Sequence, residues 1–147
     1  MMFGCAISAS PVANPELPCV RSGYADDPRL GALRRFFAHG DRPAQHLGVD
    51  FLRAADAYKL DWRLLPSISL VESGGGREAR NNNMFGWNNG DTSFATMDAG
   101  IHVVASRLAH SKLYRDKELD GILRTYNPDA RYARVVKSVM ARISPAE

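Results

Sequence analysis

Glu72 closes an apolar stretch of the chain and is followed at once by Ser73 and by Gly74, Gly75 and Gly76. At about 100° per residue it falls within roughly a quarter turn of Leu65, Ile68 and Val71, so a helix here sets a carboxyl beside an apolar face instead of in water. Burial of that kind raises a carboxyl pKa, and an acid that keeps its proton near neutrality can protonate a glycosidic oxygen. The negative end of the helix macrodipole disfavours a second negative charge at that place. The glycines remove side chains that would block a bulky polymer. The plainer alternative is a helix-terminal glutamate turned out to solvent.

The elements that must position this carboxyl follow from apolar spacing and capping residues. Asp27-Pro28 pairs an N-cap with proline at the first helical position, and Leu30, Leu33, Phe36 and Phe37 recur at helical spacing as far as Gly40. Pro43 can open a second helix carrying Leu47, Phe51, Leu52, Ala55 and Tyr58 on one stripe. Asp61 can cap the third, which holds Leu64, Leu65, Ile68 and Val71, with Pro66 expected to bend its early turns or delay its start. From Gly74 to about Ser93 the chain is a Gly- and Asn-rich loop, and its embedded Met84, Phe85 and Trp87 argue against disorder. Thr96, with Asp98 in the first turn, starts a fourth helix with Ile101, Val104 and Leu108. A short helix from Leu119 to Tyr126 stops at Asn127-Pro128. Asp129 caps a last one with Tyr132, Val135, Val136, Val139, Met140 and Ile143 on its inner side. Gly90 to Ala95 has room for a small β-hairpin. The expected class is mainly α, a helical domain with one long central loop.

At 147 residues and 45% apolar content the chain has enough for one core, expected over residues 27–147. Residues 1–26 hold Pro11, Pro15 and Pro18 without a period and read as an extended leader arm. The leader lacks a basic n-region and a long apolar core, so it is a poor export signal as written. Cys5 and Cys19 can close a disulfide loop or stay free, and neither has a histidine near it, so no metal and no cofactor are expected. Nineteen basic residues against 16 acidic ones give a net +3, spread without a recognition-helix cluster, which argues against nucleic acid and for a mildly basic surface. No apolar run approaches the roughly 18 residues of a membrane span.

Three stretches in order carry a resemblance. Leu60-Asp61-Trp62-Arg63-Leu64-Leu65-Pro66-Ser67-Ile68-Ser69-Leu70-Val71-Glu72-Ser73-Gly74-Gly75-Gly76 looks like the helix bearing the catalytic glutamate in the lysozyme-like superfamily. Asn83-Met84-Phe85-Gly86, continued by Trp87, resembles the Asn-x-Phe-Gly segment of bacterial glucosaminidase domains. Tyr126-Asn127-Pro128-Asp129-Ala130-Arg131-Tyr132-Ala133 is similar to the tyrosine-containing turn before the final helix of those domains and of lytic transglycosylases. The resemblance spans about Phe51 to Ile143. It implies a lysozyme-like fold, a monomeric extracytoplasmic enzyme and peptidoglycan glycan strands as substrate.

Carried across residue by residue, the resemblance makes Glu72 the general acid and matches Ser73 to the serine that often follows it. Tyr126 or Tyr132 matches the tyrosine that lines the cleft and helps stabilise the reacting sugar. Tyr126 is preferred for its place at the helix-ending turn, whereas Tyr132 shares the apolar stripe of Val135, Val136 and Val139 and suits core packing. Asn83, Phe85 and Trp87 are candidate sugar contacts, with loop anchoring in the core as the alternative for the two aromatics. Arg63, Arg77 and Arg80 can meet an anionic polymer or simply face water. The chain departs from longer glucosaminidases between Asn88 and Ser93, where the brief loop offers only Asp91 as a second carboxylate. A carboxylate roughly 6.5 to 9.5 Å from the acid suits inversion, and one at roughly 5 to 5.5 Å suits a retaining nucleophile. Without either, an oxygen of the sugar itself must attack. The expectation is therefore an endo-N-acetylglucosaminidase-type glycosidase. The rivals are a lytic transglycosylase giving anhydro-muramoyl products and a non-catalytic wall-binding module on the same fold.

Overall fold

A computed structural model of the chain describes residues 23–145. Six α-helices follow one another: α1 Pro28–Phe37, α2 Gly48–Tyr58, α3 Leu64–Ser73, α4 Met97–His110, α5 Leu119–Tyr126 and α6 Ala130–Ile143. The domain is mainly α, and among the described residues the only β pairing is an isolated antiparallel bridge between Arg80 and Asn83. Cys5, Cys19 and most of the expected leader lie outside the described residues. None of the helices described is long and apolar enough to cross a membrane.

Local chemistry accounts for most of the boundaries. The Asp27 carboxylate accepts from Arg29 N, Thr96 Oγ1 from Ala99 N and the Asp129 carboxylate from Arg131 N, so each satisfies a backbone donor that has no partner inside its helix. Pro66 neither bends nor delays α3. It is the third helical residue, where the backbone N–H has no intrahelical acceptor, so proline sacrifices no bond. Pro43 opens only a separate 3-10 turn, Pro43–His46, and α2 starts afresh at Gly48.

α3 runs through the centre. Leu64, Leu65, Pro66, Ser67, Ile68, Ser69 and Ser73 are all buried, so the helix is enclosed on nearly every side, unlike an amphipathic surface helix. It packs along α6, α2 packs along α4, and α1 lies against α2 and α6. Phe37 and Phe51 stack at 6.5 Å between centroids, joining α1 to α2 in the same core as Ile68, Phe85 and Leu123. Leu70, Val71 and Glu72 near the end of α3 are only partly buried, while Ser73 behind them is enclosed again.

Two further expectations are corrected. Gly90 to Ala95 forms no hairpin: its backbone is tied to the preceding loop instead, with Phe94 N donating to Asn81 O, Phe94 O and Ala95 O accepting from the Asn82 side chain, and Thr92 O accepting from Asn83. Val135 does not belong to the inner stripe of α6. It is 47% exposed, because the helix turns Tyr132, Val136, Val139 and Ile143 towards its neighbours and leaves Val135 on the outer face.

Candidate active site

Glu72 occupies the penultimate position of α3, and the chain turns away immediately behind it. Gly74 is left-handed at φ 63°, Gly74 N donates to Leu70 O, and Gly75 N donates to Ser69 O. These bonds satisfy the last helical carbonyls in a conformation that a residue with a Cβ adopts at a cost. Glu78 N then donates back to Ser73 O, folding the chain beside the carboxyl.

The two oxygens of Glu72 meet different walls. Oε1 accepts a hydrogen bond from the Tyr132 hydroxyl at 2.7 Å. Oε2 faces Gly86, where a Cβ would stand 2.9 Å away. Gly86 also has φ +58°, so both backbone conformation and space call for glycine there. Burial pushes the Glu72 carboxyl above its ordinary range, and the Tyr132 hydroxyl, which favours the ionised form, pulls partly the other way. An open cleft of about 410 Å³ lies against Glu72, lined also by Glu78, Arg80, Asn83, Gly86, Asn89 and Asp91. Gly86 and Asn89 also line a second hollow of about 300 Å³, which holds Trp87, Leu113, Tyr114 and Tyr126. The two hollows share the Gly86 and Asn89 wall, the one polar beside Glu72 and the other aromatic on the far side of the loop. Hollows of about 480 Å³ beside His102 and His110, and about 580 Å³ beside Trp62 and Arg63, are larger but lined by no carboxylate.

The tyrosine whose hydroxyl touches the acid is Tyr132, while Tyr126, preferred as the cleft-lining tyrosine, lines the second hollow. Tyr132 lies in the first turn of α6, on the buried stripe that packs along α3, so its core packing and its bond to Glu72 come from one placement. Tyr126 gives its hydroxyl hydrogen to the Phe85 carbonyl. Its ring lies parallel to that of Tyr132 at 6.0 Å and tilted against Trp87 at 5.7 Å. Burial raises both phenols far above their usual range, and the Glu72 carboxylate adds to the shift in each.

Three of the expected site residues have their polar or apolar surface engaged inside the protein. Ser73 is 4% exposed; its hydroxyl donates to Met84 O at 2.7 Å and accepts from Gly76 N at 3.0 Å. Asn83 is buried, donating to Trp87 O and Thr92 O and accepting from Trp87 N, so it shapes the loop from within. Phe85 is fully buried in the core. Trp87 is half-buried, wedged between Tyr114 and Tyr126 with part of its surface on the second hollow. Arg63 is committed to Asp61 and Ser144 O, whereas Arg80 lines the cleft.

Asp91 reaches the rim of the Glu72 cleft but is exposed, and no hydrogen bond or ion pair among the described residues holds its carboxylate. Glu78 lines the same cleft, a carboxylate that sequence reasoning missed because the glycine run erases any periodicity that would relate it to Glu72. Leu113 and Tyr114 were missed as well, since they follow α4 without a motif. Among the described residues no three His, Cys, Asp or Glu side chains gather to hold a metal ion. No protein-family model matches this chain, and no curated protein or solved structure matches it either.

Proposed function

We propose that this protein is a peptidoglycan glycosidase of the endo-N-acetylglucosaminidase type on a lysozyme-like fold, with Glu72 as the general acid. The observation that carries the proposal is a half-buried carboxyl with raised proton affinity, held by Tyr132 on one oxygen and open to a polar cleft of about 410 Å³. A general acid must keep its proton at working pH and face the leaving oxygen, and burial beside an open cleft serves both needs. The two neighbouring hollows suit sugars: amide and charged groups near Glu72 fit ring substituents, and the Trp87 and Leu113 hollow fits the apolar face of a pyranose. The three motifs that resemble glucosaminidase domains support the same assignment, which implies an extracytoplasmic place of action.

Protonation of the glycosidic oxygen by Glu72 breaks the bond to the anomeric carbon, and a nucleophile must then satisfy that carbon. Neither Asp91 nor Glu78 is locked in place: Asp91 is exposed, and Glu78 has only a 3.8 Å ion pair with its neighbour Arg77. That favours attack by an oxygen of the sugar itself. An acetamido oxygen would give a retained hydrolysis product once water opens the ring formed; the C6 hydroxyl would give an anhydro end, as in the lytic transglycosylase reading. Mass spectrometry of fragments released from purified peptidoglycan separates them. Reducing-end N-acetylglucosamine supports the glucosaminidase, anhydro-muramoyl ends support the transglycosylase, and release of nothing by a protein that still binds the wall leaves a binding module.

A further inference from the structure

We propose that Tyr126 is a positioning residue for Glu72, clamping the Phe85–Gly86 turn against the carboxyl while its ring braces Tyr132. The proposal rests on Glu72 being the working acid, and it gives the tyrosine before the last helix an indirect role. Two successive carbonyls of the loop are held from outside it: Met84 O by the Ser73 hydroxyl of α3, and Phe85 O by the Tyr126 hydroxyl of α5. The next residue, Gly86, is the wall that meets Oε2 of Glu72, so close that a Cβ would stand 2.9 Å from it. Beyond Gly86 the chain enters the left-handed Asn88 and Asn89, exposed and without side-chain hydrogen bonds among the described residues. The peptide after Gly86 is already held, Trp87 N donating to Asn83 and Gly86 O accepting from Gly90 N, so what remains to be fixed about this permissive glycine is the peptide before it. The Tyr126 hydroxyl fixes that peptide, and the parallel Tyr126 and Tyr132 rings at 6.0 Å connect it to the hydroxyl that holds Oε1.

The two tyrosines therefore act on Glu72 with opposite signs. Tyr132 donates to the carboxylate and favours its ionised form. Tyr126 keeps the loop wall closed, which limits hydration of the carboxyl and favours its protonated form. Loss of overall stability alone produces neither shift in the fraction that remains folded.

The test is the Glu72 titration, read by carbon NMR of protein labelled at the glutamate side-chain carboxyl, with the Glu72→Gln spectrum identifying the signal. In folded Tyr126→Phe, which keeps the ring and loses the bond, the Glu72 midpoint falls, on the order of half a unit, while in Tyr132→Phe it rises. An unchanged or raised midpoint in Tyr126→Phe overturns the proposal. Ser73→Ala frees the neighbouring carbonyl of the same turn and serves if Tyr126→Phe does not fold: a downward shift there supports the clamp, and no shift overturns it. The readout needs no substrate, so an inactive wild-type protein would defeat the glycosidase assignment without touching this result.

Discussion

The Tyr132 hydroxyl donates to Oε1 of Glu72 at 2.7 Å, joining the first turn of α6 to the last turn of α3 across 60 positions of sequence. The bond orients the carboxyl and opposes part of the rise that burial imposes on its pKa. Tyr132→Phe should therefore move the alkaline limb of wall-degrading activity to higher pH while lowering the maximal rate, because the acid keeps its proton longer but loses its orientation. Stability should fall by about 1 kcal/mol, the net worth of one hydrogen bond. A pH–rate profile and a urea melt of the variant check both statements, and an alkaline limb moving down would show that Tyr132 does not act on Glu72 as described.

Glu72 also sets a pH dependence of stability. Its folded pKa lies above the unfolded value near 4.5, so the folded state holds the proton more tightly than the unfolded chain does. Stability is then free of penalty below that value and is lost as pH rises from 4.5 through the folded pKa. Glu72→Gln, neutral at every pH, should melt higher than wild type at pH 7, with the difference shrinking near pH 4. Thermal melts at the two pH values test this, and a variant less stable at pH 7 would mean that the ionised carboxylate is better solvated than its burial implies.

Trp87 is wedged between Tyr114 and Tyr126, so Trp87→Ala should cost both fold and binding. Full burial would make such a truncation worth about 3–5 kcal/mol; for a half-buried ring about 2 kcal/mol is expected. Binding of soluble glycan fragments by the folded protein should weaken by more than tenfold, since the ring lines the second hollow. Calorimetric titration of the folded variant decides the matter: unchanged affinity would make Trp87 a loop anchor and nothing more.

Much of this was open to sequence because it is local. An N-cap such as Asp129 and a stripe such as Tyr132, Val136, Val139 depend on a few neighbouring residues, and so does the setting of Glu72 beside Leu65 and Ile68. The choice between Tyr126 and Tyr132 depends on how α6 packs along α3, which nothing within either segment encodes. Ser73 and Asn83 illustrate the same limit for polar groups. A hydroxyl or amide near an acid suggests substrate contact until the loop's path shows that Met84 O and Gly76 N occupy the one and the Trp87 backbone the other. Glu78 entered the cleft through a backbone bond to Ser73 O that closes the glycine turn, a local bend that no helical period announces.

Asp91 and Glu78 share the cleft with Glu72, yet neither is held as a base must be. A positioned general base typically contributes about a hundredfold or more. Asp91→Asn and Glu78→Gln, separately, should each slow wall digestion by less than about tenfold, far below that mark. Rate measurements on the two variants, with the anomeric configuration of the product, check this; a hundredfold loss in one of them together with inversion would identify that residue as the base.

The central claim is that Glu72 delivers the proton. Gln at this position keeps the shape and can still accept from Tyr132, but has no acidic proton to give, so clearing of a peptidoglycan suspension isolates the chemistry from the fold. Folded Glu72→Gln should clear it at least about a hundredfold more slowly than wild type, in line with what general acids contribute. Near-normal clearing by the folded variant would contradict the account and remove Glu72 from the mechanism.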